Sequence, residues 1–227
     1  MSVRGVLRES WVLYRLFFWR SLLIAAPIFL VLDIPSSLID VVRDTTATVA
    51  LSSFVLSLFT AFGDLLVEGL LAEDLRDHYA GRPTPGIRAL ARRIRPLLLV
   101  LVGSTFVYSA GVAIGLFLLV VPGLLVLTRW SVIVPVIVLE RRGVRSAFRR
   151  CWVLVKGHGW RVFAVLTIIF VASAIVEAFF DNLFFWLPEF YAHWIGTALV
   201  STVTAPFAAH ALAVIYYRLV DLQPVQP

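Results

Sequence analysis

The sequence predicts an all-α integral membrane fold with six transmembrane helices arranged as three hairpins, each preceded by a basic amphipathic cytoplasmic helix. Three observations carry that expectation. Of 227 residues, 60% are hydrophobic and 15% charged, against roughly 45–50% and 25% in a soluble domain. The mean hydropathy is +0.93, and six apolar runs approach or exceed the ~20 residues a helix needs to cross a bilayer. The basic residues are confined to segments on alternate sides of those runs. The whole chain, 1–227, therefore reads as a single membrane domain.

The spans fall near 21–39, 47–71, 97–121, 123–139, 162–180 and 195–217. The first follows Arg4, Arg8, Arg15 and Arg20 and runs into Asp33, Ile34 and Pro35 with no small-residue cleavage site, so it reads as a retained helix and not a signal peptide. Between the third and fourth, Val121-Pro122-Gly123 predicts a tight reversal, because proline cannot continue a helix and glycine frees the backbone to turn. Pro135 and Pro206 predict bends in the fourth and sixth spans.

Orientation follows from the basic residues. Eighteen of the 20 lie in the N-terminal segment, the 72–96 and 140–161 loops and at Arg218, while Arg43 is alone on the other side and Arg129 sits inside a span. Basic loops are retained in the cytoplasm, so a cell-membrane protein with both termini cytoplasmic is expected. The net charge of +6 then reports topology and contact with anionic headgroups, with no nucleic acid implied. The last external loop carries Phe184, Phe185, Trp186, Phe190, Tyr191 and Trp194, which fits an interfacial aromatic belt.

The basic segments form amphipathic helices near 3–15, 86–95 and 143–156. Val6, Ser10 and Tyr14 recur at helical spacing in the first, Ile87, Leu90 and Ile94 in the second, and Ala147, Phe148, Cys151 and Val155 in the third. Such a helix lies in the interface with its apolar face toward acyl chains and its cations on phosphates. Arg88, Arg92, Arg145, Arg149, Arg150 and Lys156 are the headgroup candidates. The segments also match one another. Trp11-Val12-Leu13-x-Arg15-x-x-x-Trp19-Arg20 parallels Trp152-Val153-Leu154-x-Lys156-x-x-x-Trp160-Arg161. Gly86-Ile87-Arg88 with Arg92-Arg93 parallels Gly143-Val144-Arg145 with Arg149-Arg150. A direct repeat of one interfacial helix plus one hairpin is expected.

Ionisable residues inside spans face a bundle interior, a cavity or each other. Ser53, Ser57, Thr60, Asp64 and Glu68 share one helix face. Asp64 lies ~26 Å and His210 ~23 Å below the outer ends of their spans, so Asp64, Glu68 and His210 are expected to form an inner cluster. Arg129 and Glu177, each within ~10 Å of an outer end, are expected to pair with each other. The two groups read either as a headgroup or substrate cavity, or a proton-linked site using the histidine, or as structure alone, with Arg129–Glu177 a buried pair that fixes helix register and Glu68 reaching the inner interface. Pairing alone accounts for such residues and favours the structural reading. Gly111-x-x-x-Gly115, and Thr197, Ser201, Ala205 and Ala209, read as close-packing surfaces.

No catalytic motif, phosphate loop or dinucleotide fingerprint occurs, and His78, His158, His193 and His210 are too dispersed for a metal site. No cofactor or metal is called for. A non-enzyme is expected.

Val121-Pro122-Gly123-Leu124, Arg129, Pro135, Glu140, Ala147-Phe148-Arg149-Arg150-Cys151-Trp152, Leu154, Lys156-Gly157, Pro206 and Tyr216-Tyr217-Arg218-Leu219 together resemble a known family. It is the six-span bacterial family related to the membrane domain that precedes some glycerophosphoryl diester phosphodiesterases. The resemblance covers roughly residues 95–222; Cys151 stands where the family usually has serine. It implies an integral membrane domain of undefined activity. The phosphodiesterase is a separate barrel with metal-binding carboxylates and histidine, for which the chain has no room, so that activity is not carried over. Two functions fit these readings: a non-enzymatic module that holds anionic lipid or a partner membrane protein, and a small transporter or flippase-like protein using the intramembrane polar sites.

Overall fold

The computed structural model describes residues 2–34, 46–183 and 189–223. The expected external loop around Asp40, Arg43 and Asp44, the aromatic run at 184–186 and the side chains of Ser53, Ser57, Phe190 and Tyr191 lie outside the described residues. Among those described, the fold is all-helical with no strand.

The helices are α1 (Val3–Leu16), α2 (Phe18–Leu32), α3 (Thr46–Tyr79), α4 (Ile87–Ile94), α5 (Leu98–Leu118), α6 (Val120–Trp130), α7 (Ile133–Glu140), α8 (Val144–Val155), α9 (Gly159–Leu183) and α10 (Glu189–Asp221). A 3-10 turn, Arg95–Leu97, joins α4 to α5. Four stretches are long and apolar enough to cross a membrane: Ile87–Leu118, Val120–Glu140, Gly159–Phe180 and Trp194–Asp221. The pair α1 and α2, bent by 81° at Phe17, makes a fifth if taken as one span. So the described residues give four to five candidate spans where the sequence predicts six.

The three amphipathic segments are helices at the expected places, but their apolar stripes do not face outward. Val6 and Leu13 of α1, Leu90 and Ile94 of α4, and Ala147, Phe148, Cys151 and Leu154 of α8 all join the bundle's core. Burying these stripes in protein leaves the tryptophans Trp11 and Trp152 and a few aliphatic side chains, Val12, Leu16, Ile87 and Val153, for the surroundings. Ser2 caps α1 by accepting from the Gly5 N–H at 3.2 Å.

The repeated segments have matching surroundings. Trp11 and Trp152 are 53% and 49% exposed, Leu13 and Leu154 5% and 3%, and Trp19 and Trp160 77% and 81%. Gly86 and Gly143 occupy the same extended cap position, at φ −63°, ψ 152° and φ −75°, ψ 164°, before α4 and α8. At these three pairs of side chains the sequence match is also a match of burial.

Two boundaries differ from expectation. The α5–α6 reversal falls at Leu119, which is extended, and not at Val121-Pro122-Gly123. Pro122 stands in the first turn of α6, where its missing N–H costs no helical hydrogen bond. Gly123 is a packing residue: a Cβ on Gly115 would stand 2.8 Å from the Gly123 Cα. The Gly111/Gly115 motif therefore finds its partner within the chain, with Trp130 filling the space over Gly111. The fourth span is broken at Ser131–Val132, because Pro135 in the first turn of α7 has no N–H for the Ser131 carbonyl. Beyond the break, Ile133 to Val138 are all buried, and α7 is packed among α3, α8, α10 and α5. At its end Arg141 takes a left-handed conformation (φ +54°), which stops the helix.

Helix α3 runs about two turns beyond the expected span and carries Glu73, Asp74 and Asp77 into the arginine-rich end of the bundle. It packs against α2, α4, α5, α7 and α10, while α10 also contacts α1, α2 and α9. These two long helices carry Asp64, Glu68, Glu73, Asp74, Asp77 and His210.

Candidate functional site

Between α3, α9 and α10 lies a cavity of about 370 Å³, onto which Asp64, Glu68 and Glu177 all open. Asp64 and Glu177 are exposed, whereas Glu68 is 8% exposed and its Oε1 has no hydrogen-bond partner among the described residues. Thr197, Ser201, Ala205 and Ala209, expected to let helices approach closely, instead line this space; their small side chains leave it open. Ser173 and Thr204 add hydroxyls. A second cavity, about 210 Å³, lies against the same Asp64–Glu68 face on the side of Tyr108 and Trp130.

The expected grouping of polar residues is therefore redistributed. His210 is buried but lines neither cavity. Its ring stacks on Phe17 at 6.3 Å and meets Tyr14 edge-on at 6.4 Å, and its Nδ1 donates to the Pro206 carbonyl at 2.6 Å. A carbonyl can only accept, so this contact puts the proton on Nδ1. Glu177, not His210, completes the cluster with Asp64 and Glu68.

Nor does Arg129 pair with Glu177. Its guanidinium lies over the Trp152 ring, 4.8 Å from the centroid, and its Nη1 donates to the Trp152 carbonyl at 3.3 Å. Depth along the span gives no azimuth, and the Arg129 side chain reaches Trp152 of α8 and not Glu177. Arg129 borders an apolar groove with Leu124, Trp160 and Phe163.

At the arginine-rich end the cations divide into two sets. Asp74 receives Arg20 through two bonds, Nε at 2.7 Å and Nη2 at 2.9 Å, and Arg20 also donates to the Pro85 carbonyl. Arg93 bonds Asp77 at 2.6 Å and lies 3.5 Å from Glu73, which Arg141 bonds at 2.9 Å. Glu140 takes Arg150 at 3.0 Å, Arg142, and the Tyr216 hydroxyl at 3.1 Å. Glu9 takes Arg218 and the Tyr79 hydroxyl. Burial, then the bond to Glu9, raises the Tyr79 phenol above its ordinary value and keeps it protonated.

These networks absorb Arg150, which was expected at headgroups and is held also by Gln223 at 2.8 Å. Arg88, Arg92, Arg145, Arg149 and Lys156 remain exposed and make no ion pair among the described residues. Arg145 and Arg149 share a recess of about 540 Å³ with Gly143 and Ser146 at the start of α8. The buried carboxylates Glu73, Asp74 and Asp77 were not anticipated as a hub. Their signal is in the sequence: three acids at one- and three-residue steps inside an otherwise basic region. Among the described residues no group of His, Cys, Asp and Glu has the geometry to hold a metal ion.

Long apolar helices, a carboxylate-lined cavity between them and a cationic end define a multi-span helical membrane protein. Comparison makes the class specific: the sequence profile of the membrane domain of glycerophosphoryl diester phosphodiesterase matches residues 102–225. That is more than half the chain, and the protein belongs to this membrane-domain family. The matched family is the membrane domain and not the catalytic phosphodiesterase domain. No curated protein and no solved structure matches the chain.

Proposed function

We propose that the protein is a non-enzymatic membrane module that holds anionic lipid at its cationic end. In this reading it has six spans in three hairpins, with α3 counted among them and both termini in the cytoplasm. The observation that supports it is the division of the cations. Acidic side chains neutralise Arg20, Arg93, Arg141, Arg150 and Arg218, while Arg88, Arg92, Arg145, Arg149 and Lys156 stay uncompensated on helices beside the spans. Basic residues at a membrane surface contribute about 1 kcal/mol each toward anionic lipid. A partner membrane protein with an acidic face would use the same surface. The transporter reading draws on a different feature, the acidic cavity.

The test is binding of anionic against zwitterionic phospholipid to the purified full chain, followed by native mass spectrometry at low salt. Anionic lipid is expected to be retained preferentially, and Arg145→Ala/Arg149→Ala to weaken retention about tenfold or more. Equal retention of both lipids, unchanged in the double variant, overturns the reading.

A further inference from the structure

The cavity between α3, α9 and α10 has a shape and a charge that the lipid-binding reading does not use. Its wall on α10 runs from Thr197 to Leu212, which at ~1.5 Å per residue is a length of ~22 Å. A volume of about 370 Å³ spread over that length makes a narrow slot and not a rounded pocket. It suits an unbranched chain.

Carboxylates stand at both ends of the slot. Asp64 and Glu68 belong to the Leu212 end, since all three residues also border the second cavity. Glu177 belongs to the Thr197 end: it lies six residues before the end of α9, and Thr197 eight residues after the start of α10, the next helix in the chain. Between the ends the wall is aliphatic and hydroxylic, with Val200, Ser201, Thr204 and Ala208. No basic residue lines it among the described residues. Glu68, more than nine-tenths buried, lines this space, and its Oε1 has no donor among the described residues. A buried carboxylate oxygen without a donor is costly unless a ligand or proton supplies one.

From this arrangement we infer that the slot binds an aliphatic diamine or polyamine, with one ammonium at Asp64 and Glu68, the other at Glu177, and the alkyl chain along α10. Each alternative cation fits the wall less well. A metal ion would need a cluster of ligands that the described residues do not form. A quaternary ammonium is recognised by aromatic faces, and the slot has none. A primary ammonium offers three donors, which carboxylates and hydroxyls accept. The amine of an ethanolamine lipid has the same chemistry but only one charge, so the second carboxylate site distinguishes the two sources.

The experiment is calorimetric binding of 1,12-diaminododecane, long enough with its two ammonium contacts to reach from one end of the slot to the other, to the full chain in neutral detergent, with dodecylamine, 1,12-dodecanediol and ethanolamine phospholipid as comparison probes. The diamine is expected to bind at least tenfold more tightly than dodecylamine, because the second ammonium acts at high effective concentration; the diol is expected not to bind. Glu177→Gln should reduce the diamine to the affinity of dodecylamine, and Asp64→Asn should weaken both. Ser201→Leu, which fills the slot without changing charge, should abolish binding in a chain whose unfolding temperature shows it folded. Absence of diamine binding, equal affinity for diamine and diol, or preference for the lipid over the diamine overturns the inference. Since Arg145 and Arg149 take no part, the anionic-lipid reading can fail or stand independently.

Discussion

Removing Arg20 tests whether the ion pairs at the arginine-rich end hold the helices together or merely decorate them. Asp74 is almost fully buried, and its side chain is 3% exposed while that of Arg20 is 24% exposed. The two Arg20 bonds are the ion-pair contacts that Asp74 makes among the described residues, and the same guanidinium reaches the Pro85 carbonyl ahead of α4. Arg20→Ala therefore strands a carboxylate and unties α2 from α3 and the following loop. Breaking a buried pair by deleting one partner costs roughly 3–5 kcal/mol, and the partial exposure of Arg20 lowers this to about 2–4 kcal/mol. For a chain of this size that is a drop in Tm of about 5–12 °C, measured by thermal unfolding in one fixed detergent. Asp74→Asn alone is expected to cost less, since it removes the charge along with the need to neutralise it. Arg20→Ala/Asp74→Asn should then lie above Arg20→Ala. If Arg20→Ala leaves Tm unchanged, or the two substitutions simply add, the pair does not carry the coupling assigned to it.

The matched Arg-Arg steps give a second prediction: Arg92→Ala and Arg149→Ala should change stability by no more than about 0.5 kcal/mol, whereas Arg93→Ala and Arg150→Ala, which uncover Asp77 and Glu140, should each cost about 1–2 kcal/mol. Denaturation of the four variants decides it, and a loss shared equally within each step refutes the assignment. Cys151 gives a third. Burial, followed by the charge of Glu140, raises its thiol above the ordinary value, so the thiolate that alkylating reagents need is suppressed in the folded chain. Iodoacetamide at pH 8 should leave Cys151 unmodified in mild detergent and label it rapidly after unfolding. The stability associated with the neutral thiol is present below the unfolded pKa, about 8.5, and declines as pH rises beyond it. Rapid labelling of the folded chain would contradict this placement.

The helices were legible because their signals are local. Apolar run length pointed to the four stretches that are long and apolar enough to cross a membrane, and the 3.6-residue spacing of Val6, Ser10 and Tyr14, or of Ala147, Cys151 and Val155, gave the amphipathic helices. The direction those stripes face was not legible. Periodicity distinguishes an apolar side from a polar one but does not distinguish acyl chains from a protein core, and Cys151 and Leu154 face the core. The turn at Leu119 was misplaced for a related reason. Proline and glycine serve both as turn formers and as first-turn and contact residues, and only the approach of Gly115 to Gly123 shows which role Gly123 has.

The polar sites separate along the same line. Asp64, Glu68 and Glu177 could be chosen from sequence because an acid in a span always needs an explanation, yet their partners could not. Pairing was inferred from depth, and depth along a helix says nothing about azimuth. Asp64 and His210 stand at similar heights on α3 and α10, but His210 turns toward Phe17 and Tyr14 whereas Asp64 turns toward α9. The same holds for Arg129, whose guanidinium lies over Trp152 of α8 and not beside Glu177. The small residues of α10 show the converse ambiguity. Thr197, Ser201 and Ala205 at four-residue spacing allow a neighbouring helix to come close or leave a slot where none does, and it is the carboxylates across from them that give the slot a chemical meaning.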